Sequence, residues 1–396
     1  MTSKERHDNR YKRRREKRMQ KKQMRTDNIC GIETAMSYEK LYQSGKKCCS
    51  GVRWKQSIQN FERHLFSRTA VCSCKIQNGV WKPSKYTSFT LCERGKIRPI
   101  DAPKIQDRQI HKCYSKNVLL PLYRSDMIYN NGASLKGKGL SFSRNMLIKD
   151  LHSFYRHYKN SGNVILMDFK QFFPSAPHTS VYKRHNNIIL DQKLKHIGDQ
   201  IVASNHKDIG MPLGVEPSQI EMVALPSPLD NYYIKCQLGI KHIGHYMDDY
   251  YILVPPHINS KNLLHLIIEK AASIGLNVNT NKTKICPLTK PFKYCKAKYR
   301  MTETGKIIVN GNRDSIKRAR KKIMAFREKI SHQRMDYEDL WTSINGIFAY
   351  LNAYNDHNRV LKLRRLFYSK FGFSPEFIEN FKRNGIQSEI YCTQKI

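Results

Sequence analysis

The chain is short of acid. Its 396 residues carry 32 Asp and Glu against 71 Lys and Arg, a formal net charge of +39. Self-repulsion on that scale points to a polyanionic partner, nucleic acid first, because each cation set on a phosphate releases condensed counterions. No apolar run approaches the ~20 residues of a membrane-spanning helix. The basic N-terminus has no apolar stretch after it, so it does not read as a secretory leader. A soluble, cytoplasmic protein without membrane contact is the expectation. The eleven cysteines include no CxxC pair; Cys48 and Cys49 adjoin, and one residue separates Cys72 from Cys74. That spacing argues against a zinc ribbon and for reduced thiols. No internal repeat is evident.

What is present suffices for a large core in two or three lobes, at 40% hydrophobic residues. Residues 1–25 hold twelve Lys/Arg against three acids and cannot bury a core. They read as a basic arm that contacts RNA. The pattern over 38–68 is helical, broken at Gly45 and Gly51. Residues 85–103 alternate and turn at Arg94-Gly95, a hairpin, and 107–124 return to helix. A Gly-rich loop opens 131–158 and leads into an amphipathic helix. "NVILMDF" (163–169) is a short buried strand. Helix follows over 191–204, then a loop from Gly210 to Ser218 feeding a helix to about Leu238. A helix over 260–275 precedes a strand and turn, and 291–309 read as two further strands. Beyond Arg313 the chain is helical, with Ile316, Ile323, Phe326 and Ile330 in one apolar stripe among Lys and Arg.

One stretch does not fit its surroundings. In "GHYMDDYYILV" (244–254) two adjacent carboxylates interrupt residues that favour strand. Side by side they repel, so they belong either in an exposed turn or on a metal ion. Asp168 stands in a similar setting at the end of Val164-Ile165-Leu166-Met167, and 80 residues separate it from Asp248. Antiparallel neighbouring strands would bring Asp168, Asp248 and Asp249 to one sheet edge. Clustered carboxylates need cations, and Mg²⁺ suits oxygen ligands and phosphates.

"YMDD" on a hairpin, preceded by "LMDFKQFF", resembles the reverse transcriptase family, whose palm lobe holds this acid trio. Further segments agree in order over roughly 38–310: "GKIRPIDAPKIQDRQIHK" (95–112), "NGASLKGKG" (131–139), "GMPLGVEPSQ" (210–219), "GLNVNTNKTKI" (275–285) and "FKYCKAKYR" (292–300). The resemblance implies an α+β right-hand polymerase with fingers, an antiparallel palm sheet backed by helices, and a helical thumb. Its parts fall at 1–30 (basic arm), 31–160 (N-terminal helices and fingers), 161–310 (palm, with a loop at 205–220) and 311–396 (thumb). It implies Asp168, Asp248 and Asp249 as catalytic ligands of two Mg²⁺ ions, with Mn²⁺ as a substitute. Lys96, Arg98, Phe173, Gly214, Ser218, Gln219 and Lys282 would meet the nucleotide, and Tyr246, Met247, Lys136 and Lys138 the primer and template. Phe173 would be the gate against a ribose 2′-hydroxyl, favouring deoxynucleotides. Lys282 or Lys284 would protonate the leaving pyrophosphate.

The implied reaction is RNA-directed DNA synthesis, with dNTPs, an RNA template or structured non-coding RNA, and a DNA product; a protein partner or homo-oligomer is open. One departure is informative. Most of the family has Gln before the glycine at 214 and Ser-Pro after it, whereas this chain has Leu213 and Ser218-Gln219. That variant resembles bacterial diversity-generating retroelement and defence-associated enzymes, and implies relaxed selectivity. A bacterial or phage origin follows from the same likeness. The alternative is an RNA-binding maturase of the group II intron type, and a third reading is a polymerase fold that acts mainly in an assembly.

Overall fold

The computed structural model describes residues 5, 8–14, 16, 17, 20, 29, 31–93, 95–204, 208–311, 313–352, 354 and 357–375, the side chains of Glu93 and Lys96 excepted. Most of the basic arm, residues 205–207 of the expected loop and the end of the expected thumb lie outside the described residues. Two compact units are present: Met1–Asp150 with Asn163–Ile285, and Leu151–Gly162 with Cys286–Ile396.

The first unit begins with helices α1 (Gly31–Ala35), α2 (Tyr38–Cys49), α3 (Gln56–Arg63) and α4 (Leu65–Gln77). Ser37 caps α2 by accepting the Lys40 N–H. Gly45 does not break α2. A Cβ there would stand 2.6 Å from Leu65 Cδ1, so the glycine lets α4 pack close against the helix. Strands β1 (Thr87–Glu93) and β2 (Lys96–Ala102) pair antiparallel as the expected hairpin; its turn residue Arg94 lies outside the described residues. Helix α5 (Ile105–Tyr114) continues through a π turn (Ser115–Leu119) into α6 (Leu120–Tyr123), and the first part of α7 (Leu140–Tyr158) follows, the helix from Leu151 on belonging to the second unit.

Next come β3 (Asn163–Met167), α8 (His178–Ile188), α9 (Gln192–Ala203), α10 (Glu216–Ala224) and a π-helical segment (Pro228–Gln237). The unit closes with β4 (Ile243–Tyr246), β5 (Asp249–Val254), α11 (Ser260–Ser273) and the start of β6 (Lys284–Pro287). Sequence reading passed over α8, which starts after Pro177 with no side-chain cap. Asp191 caps α9 on the Leu194 N–H and holds the Ile32 N–H with its other oxygen. The sheet order is β4-β5-β3-β6. Val164, Ile165, Ile252 and Val254 are fully buried, and the sheet packs on Leu229 and Ile234 of the π segment and on Ile267 of α11. A second core joins α5, α9 and α10 through Tyr114, Leu119, Ile197 and Ile220. Burying each such side chain contributes about 1.5–3 kcal/mol.

The second unit has three strands where two were expected: β7 (Phe292–Tyr294), β8 (Ala297–Met301) and β9 (Ile307–Gly311). The three-residue β7 is too short to show an alternation in sequence. Helices α12 (Arg313–Ser331), α13 (Tyr337–Asn352) and α14 (His357–Phe371) pack around Ile323, Phe326, Ile344, Phe348, Leu363 and Phe367. Ile316 and Ile330 flank that core, so the apolar stripe has its expected neighbours. Among the described residues no helix is long and apolar enough to cross a membrane.

Candidate active site

Strand register brings the acids together. In the β3–β5 pair Met167 faces Tyr250, so Asp168 and Asp249 continue from the same end of the sheet. Tyr246 faces Asp249 across β4 and β5, which leaves Met247 and Asp248 as a two-residue turn. Met247 adopts φ +56°, a conformation costly for a residue with a Cβ. Tight hairpin turns demand it, because their twist matches that of the strands. Beside the turn Gly244 makes room for the Tyr251 ring; a Cβ there would meet it at 2.6 Å.

The charges at this edge are unevenly matched. Residues 277–282 lie against 168–170 by main-chain bonds: the Lys170 N–H donates to Asn277 O and the Asn279 N–H to Asp168 O, both at 2.7 Å. The Lys282 N–H closes the turn on Asn279 O, and its ammonium donates to Asp168 Oδ2 at 2.6 Å. Asp168 Oδ1 is buried without a hydrogen-bond partner. Burial pushes the half-buried Asp248 carboxyl above its usual range, and the negative charge of Asp168 adds to that; Lys282 and Arg98 pull the other way. The Lys282 ammonium is held above its usual range by its bond to Asp168 and by Asp248 and Asp249 nearby. Asp249 is exposed.

The neighbouring loops are fixed by backbone contacts. The Asp101 N–H of β2 donates to Leu213 O at 2.8 Å. Gly214, at φ +104°, could not carry a Cβ, which would stand 2.9 Å from Asp101 O. The Met211 N–H donates to Phe173 O at 2.9 Å, and the half-buried Phe173 ring meets Phe172 edge-on at 5.8 Å. Ser218 is buried and its Oγ has no partner, while Gln219 is exposed. Gly214 and Gln219 line a cleft of about 360 Å³ with Leu120, Ser134, Glu216 and Ile220. Lys96 starts β2, but its side chain is not among those described.

Lys138 has partners within the protein. Its ammonium donates to Tyr129 O and Asn131 O and lies 4.9 and 4.8 Å from the Tyr129 and Phe142 ring centres. Burial lowers its pKa. Lys136 is exposed, and Tyr246 and Met247 pack half-buried on the core of α5 and α6. Two acids that sequence reading passed over flank β5. Asp150 accepts from Asn130 and the Tyr251 hydroxyl, both at 2.8 Å. Asp230, 1% exposed, lies under Tyr250. Their one sequence signal is an acid set among apolar residues of a helical run, as in Met146-Leu147-Ile148-Lys149-Asp150-Leu151.

The donors suit a hard cation, for two reasons. Asp168 has a buried carboxylate oxygen to spare, and Asp248 sits where like charge and burial both disfavour its ionised form. Lys282 supplies positive charge to Asp168 at 2.6 Å. Among the described residues no group of three or more His, Cys, Asp or Glu side chains is gathered closely enough to hold a metal ion.

The family model described as reverse transcriptase (RNA-dependent DNA polymerase) matches residues 81–297, more than half of the chain. The chain therefore belongs to the reverse transcriptase family and is an RNA-directed DNA polymerase, a nucleotidyltransferase acting on a nucleic-acid template and dNTPs. Enzymes of this family work with divalent metal ions. No curated protein matches the chain.

Proposed function

We propose that the chain copies RNA into DNA at the β4–β5 turn, with Asp168, Asp248 and Asp249 as the ligands of two Mg²⁺ ions. The observation that carries this reading is the sheet edge where Asp168 and Asp248 oppose each other electrostatically and share one lysine. Bound there, the ions would activate a primer 3′-hydroxyl and stabilise the leaving pyrophosphate. Arg98, whose charge already acts on Asp248, and Lys96 neutralise the triphosphate. Lys282 moves from Asp168 to the leaving group as proton donor. Phe173 excludes a 2′-hydroxyl, and Gly214, Ser218 and Gln219 shape the nucleotide and template cleft. Tyr246 and Met247 shape the hairpin near the primer end, with Lys136 on the template. In this reading residues 31–160 supply fingers, 161–310 the palm and 311–396 the thumb.

A retroelement or anti-phage defence setting, with a bound structured RNA, follows from Leu213 standing where most relatives have a polar side chain. Purified protein given oligonucleotide-primed RNA, dNTPs and Mg²⁺ or Mn²⁺ should extend the primer. Asp248→Ala should abolish extension while leaving RNA binding intact. Equal extension by both proteins would refute the assignment.

A further inference from the structure

We propose that His245 and Asp230 form a positioning pair that fixes the carbonyl of Met247 and, through it, the catalytic turn. The proposal rests on the polymerase reading of that turn but concerns residues which touch neither substrate nor reacting atoms. His245 sits on β4, fully buried, directly across from Tyr250 of β5. The two rings stack with centres 4.4 Å apart and planes 3° from parallel. On one edge of the imidazole, Nδ1 lies 3.1 Å from Met247 O. On the other, Nε2 lies 3.1 Å from Asp230 Oδ2. The Tyr250 hydroxyl donates to the same carboxylate oxygen at 3.4 Å.

The main chain of His245 is pinned as well. Its N–H donates to Asn130 O, and its carbonyl accepts the Gly132 N–H at 3.0 Å. Ring and backbone thus both have partners, and the Met247 carbonyl is tied to a group held on its other sides. A carbonyl oxygen only accepts, so the ring faces it with Nδ1–H. The Met247 carbonyl and the Asp248 N–H belong to one planar peptide. Fixing the oxygen therefore orients the plane from which the Asp248 side chain departs. The same bond offsets part of the cost of a positive φ at Met247. Asp230 stands at ion-pair distance from the far edge of the ring, where Nε2 makes no hydrogen bond, and its packing there limits the room the ring has to turn over.

His245→Phe keeps the buried ring and its stack on Tyr250 and removes only the two nitrogens. It should fold with a lowered melting temperature, because buried Asp230 loses its neighbour. At temperatures where it is folded it should bind primer-template normally and keep KM for dNTP, while kcat falls at least about tenfold, since small misplacements of a reacting group are costly. His245→Asn, whose amide can donate toward Met247 O, should recover a few-fold of kcat. Asp230→Asn keeps the side chain's shape while removing its charge and should fall between wild type and His245→Phe; it carries the test if the position-245 variants do not fold. Independently of activity, ¹⁵N-histidine spectra should contain a slowly exchanging Nδ1–H signal that His245→Phe abolishes and Asp230→Asn shifts. Absence of that signal would overturn the pair, as would unchanged kcat in the Phe variant or a loss confined to KM. A wild type that shows the signal but extends no primer would overturn the polymerase reading and leave the pair standing.

Discussion

Buried charge is treated in opposite ways in two regions of the first unit. Between α8, α9 and α10 the imidazole of His185 is wholly enclosed, and each nitrogen has its own carboxylate: Asp199 at 2.7 Å and Glu221 at 2.8 Å. The second oxygen of Glu221 accepts from the Tyr123 hydroxyl at 2.6 Å. Burial alone would lower the His185 pKa, but Glu221 and Asp199 outweigh it and raise it to about 9. At the β4–β5 turn Lys282 bonds Asp168 and feels Asp248 and Asp249 as well, one oxygen of Asp168 has no hydrogen bond, and Asp248 is pushed toward its neutral form despite Lys282 and Arg98. The first region is scaffold, with its charges matched within the protein. In the second a carboxylate oxygen of Asp168 stays without a hydrogen bond and Asp248 is disfavoured as an anion, the pattern expected of a site that binds a cation rather than of a structural ion pair.

The contrast breaks most visibly at His185. His185→Leu strands two carboxylates and should lower unfolding free energy by about 3–5 kcal/mol near neutral pH. The sign with pH follows from a folded pKa above the ordinary value. The stabilisation is complete below about 6.5, the unfolded value, and is lost as pH rises through about 9. Denaturant titrations from pH 6 to 10 should show wild type weakening over that window and the variant changing less. A variant as stable as wild type would place the site's unmatched charge in no contrast with the scaffold.

How far this division could be read from sequence depends on range. Asp168 and the Asp248-Asp249 pair announce themselves because acids interrupt strand-forming residues, a local signal. The β1–β2 hairpin and the α12 stripe are local too. Lys138 and His185 carry no such signal. Nothing within a few residues of Lys138 tells that Tyr129 and Asn131 will offer it their carbonyls, or that Glu221 will reach His185 from 36 residues away. Gly45 misled for the same reason: its lack of a Cβ serves Leu65 and Gln109, not a helix end. Pairing across the fold decides which charges are spent on structure, and a single sequence does not display it.

Three lysines sharpen the comparison at a smaller scale. Lys282→Ala should lower kcat for nucleotide addition about 10²-fold if it donates the proton to the leaving group. Lys284→Ala, removing an exposed ammonium two residues on, should leave kcat within about twofold. Lys138→Ala should likewise spare kcat but reduce stability by about 1–2 kcal/mol, through two lost backbone bonds and two ring contacts. Single-turnover kinetics and thermal melts on the three proteins separate these roles. A large catalytic loss in Lys138→Ala with unchanged melting would return that side chain to the nucleic-acid surface.

The smallest effect tests the surplus charge itself. If Asp248 is held in place against burial and against the charge of Asp168, then removing its charge relieves the fold. Asp248→Asn should therefore be more stable than wild type by about 1 kcal/mol at neutral pH in a chelating buffer, the scale usual for sites shaped by function. Adding a divalent cation should raise the wild-type melting temperature, because binding favours the folded state, and should raise the variant's less. The two curves then approach each other as the cation concentration rises. Equal stability in chelator, with equal response to cation, would mean that Asp248 is already neutralised within the protein, and the turn would belong with the matched scaffold of His185.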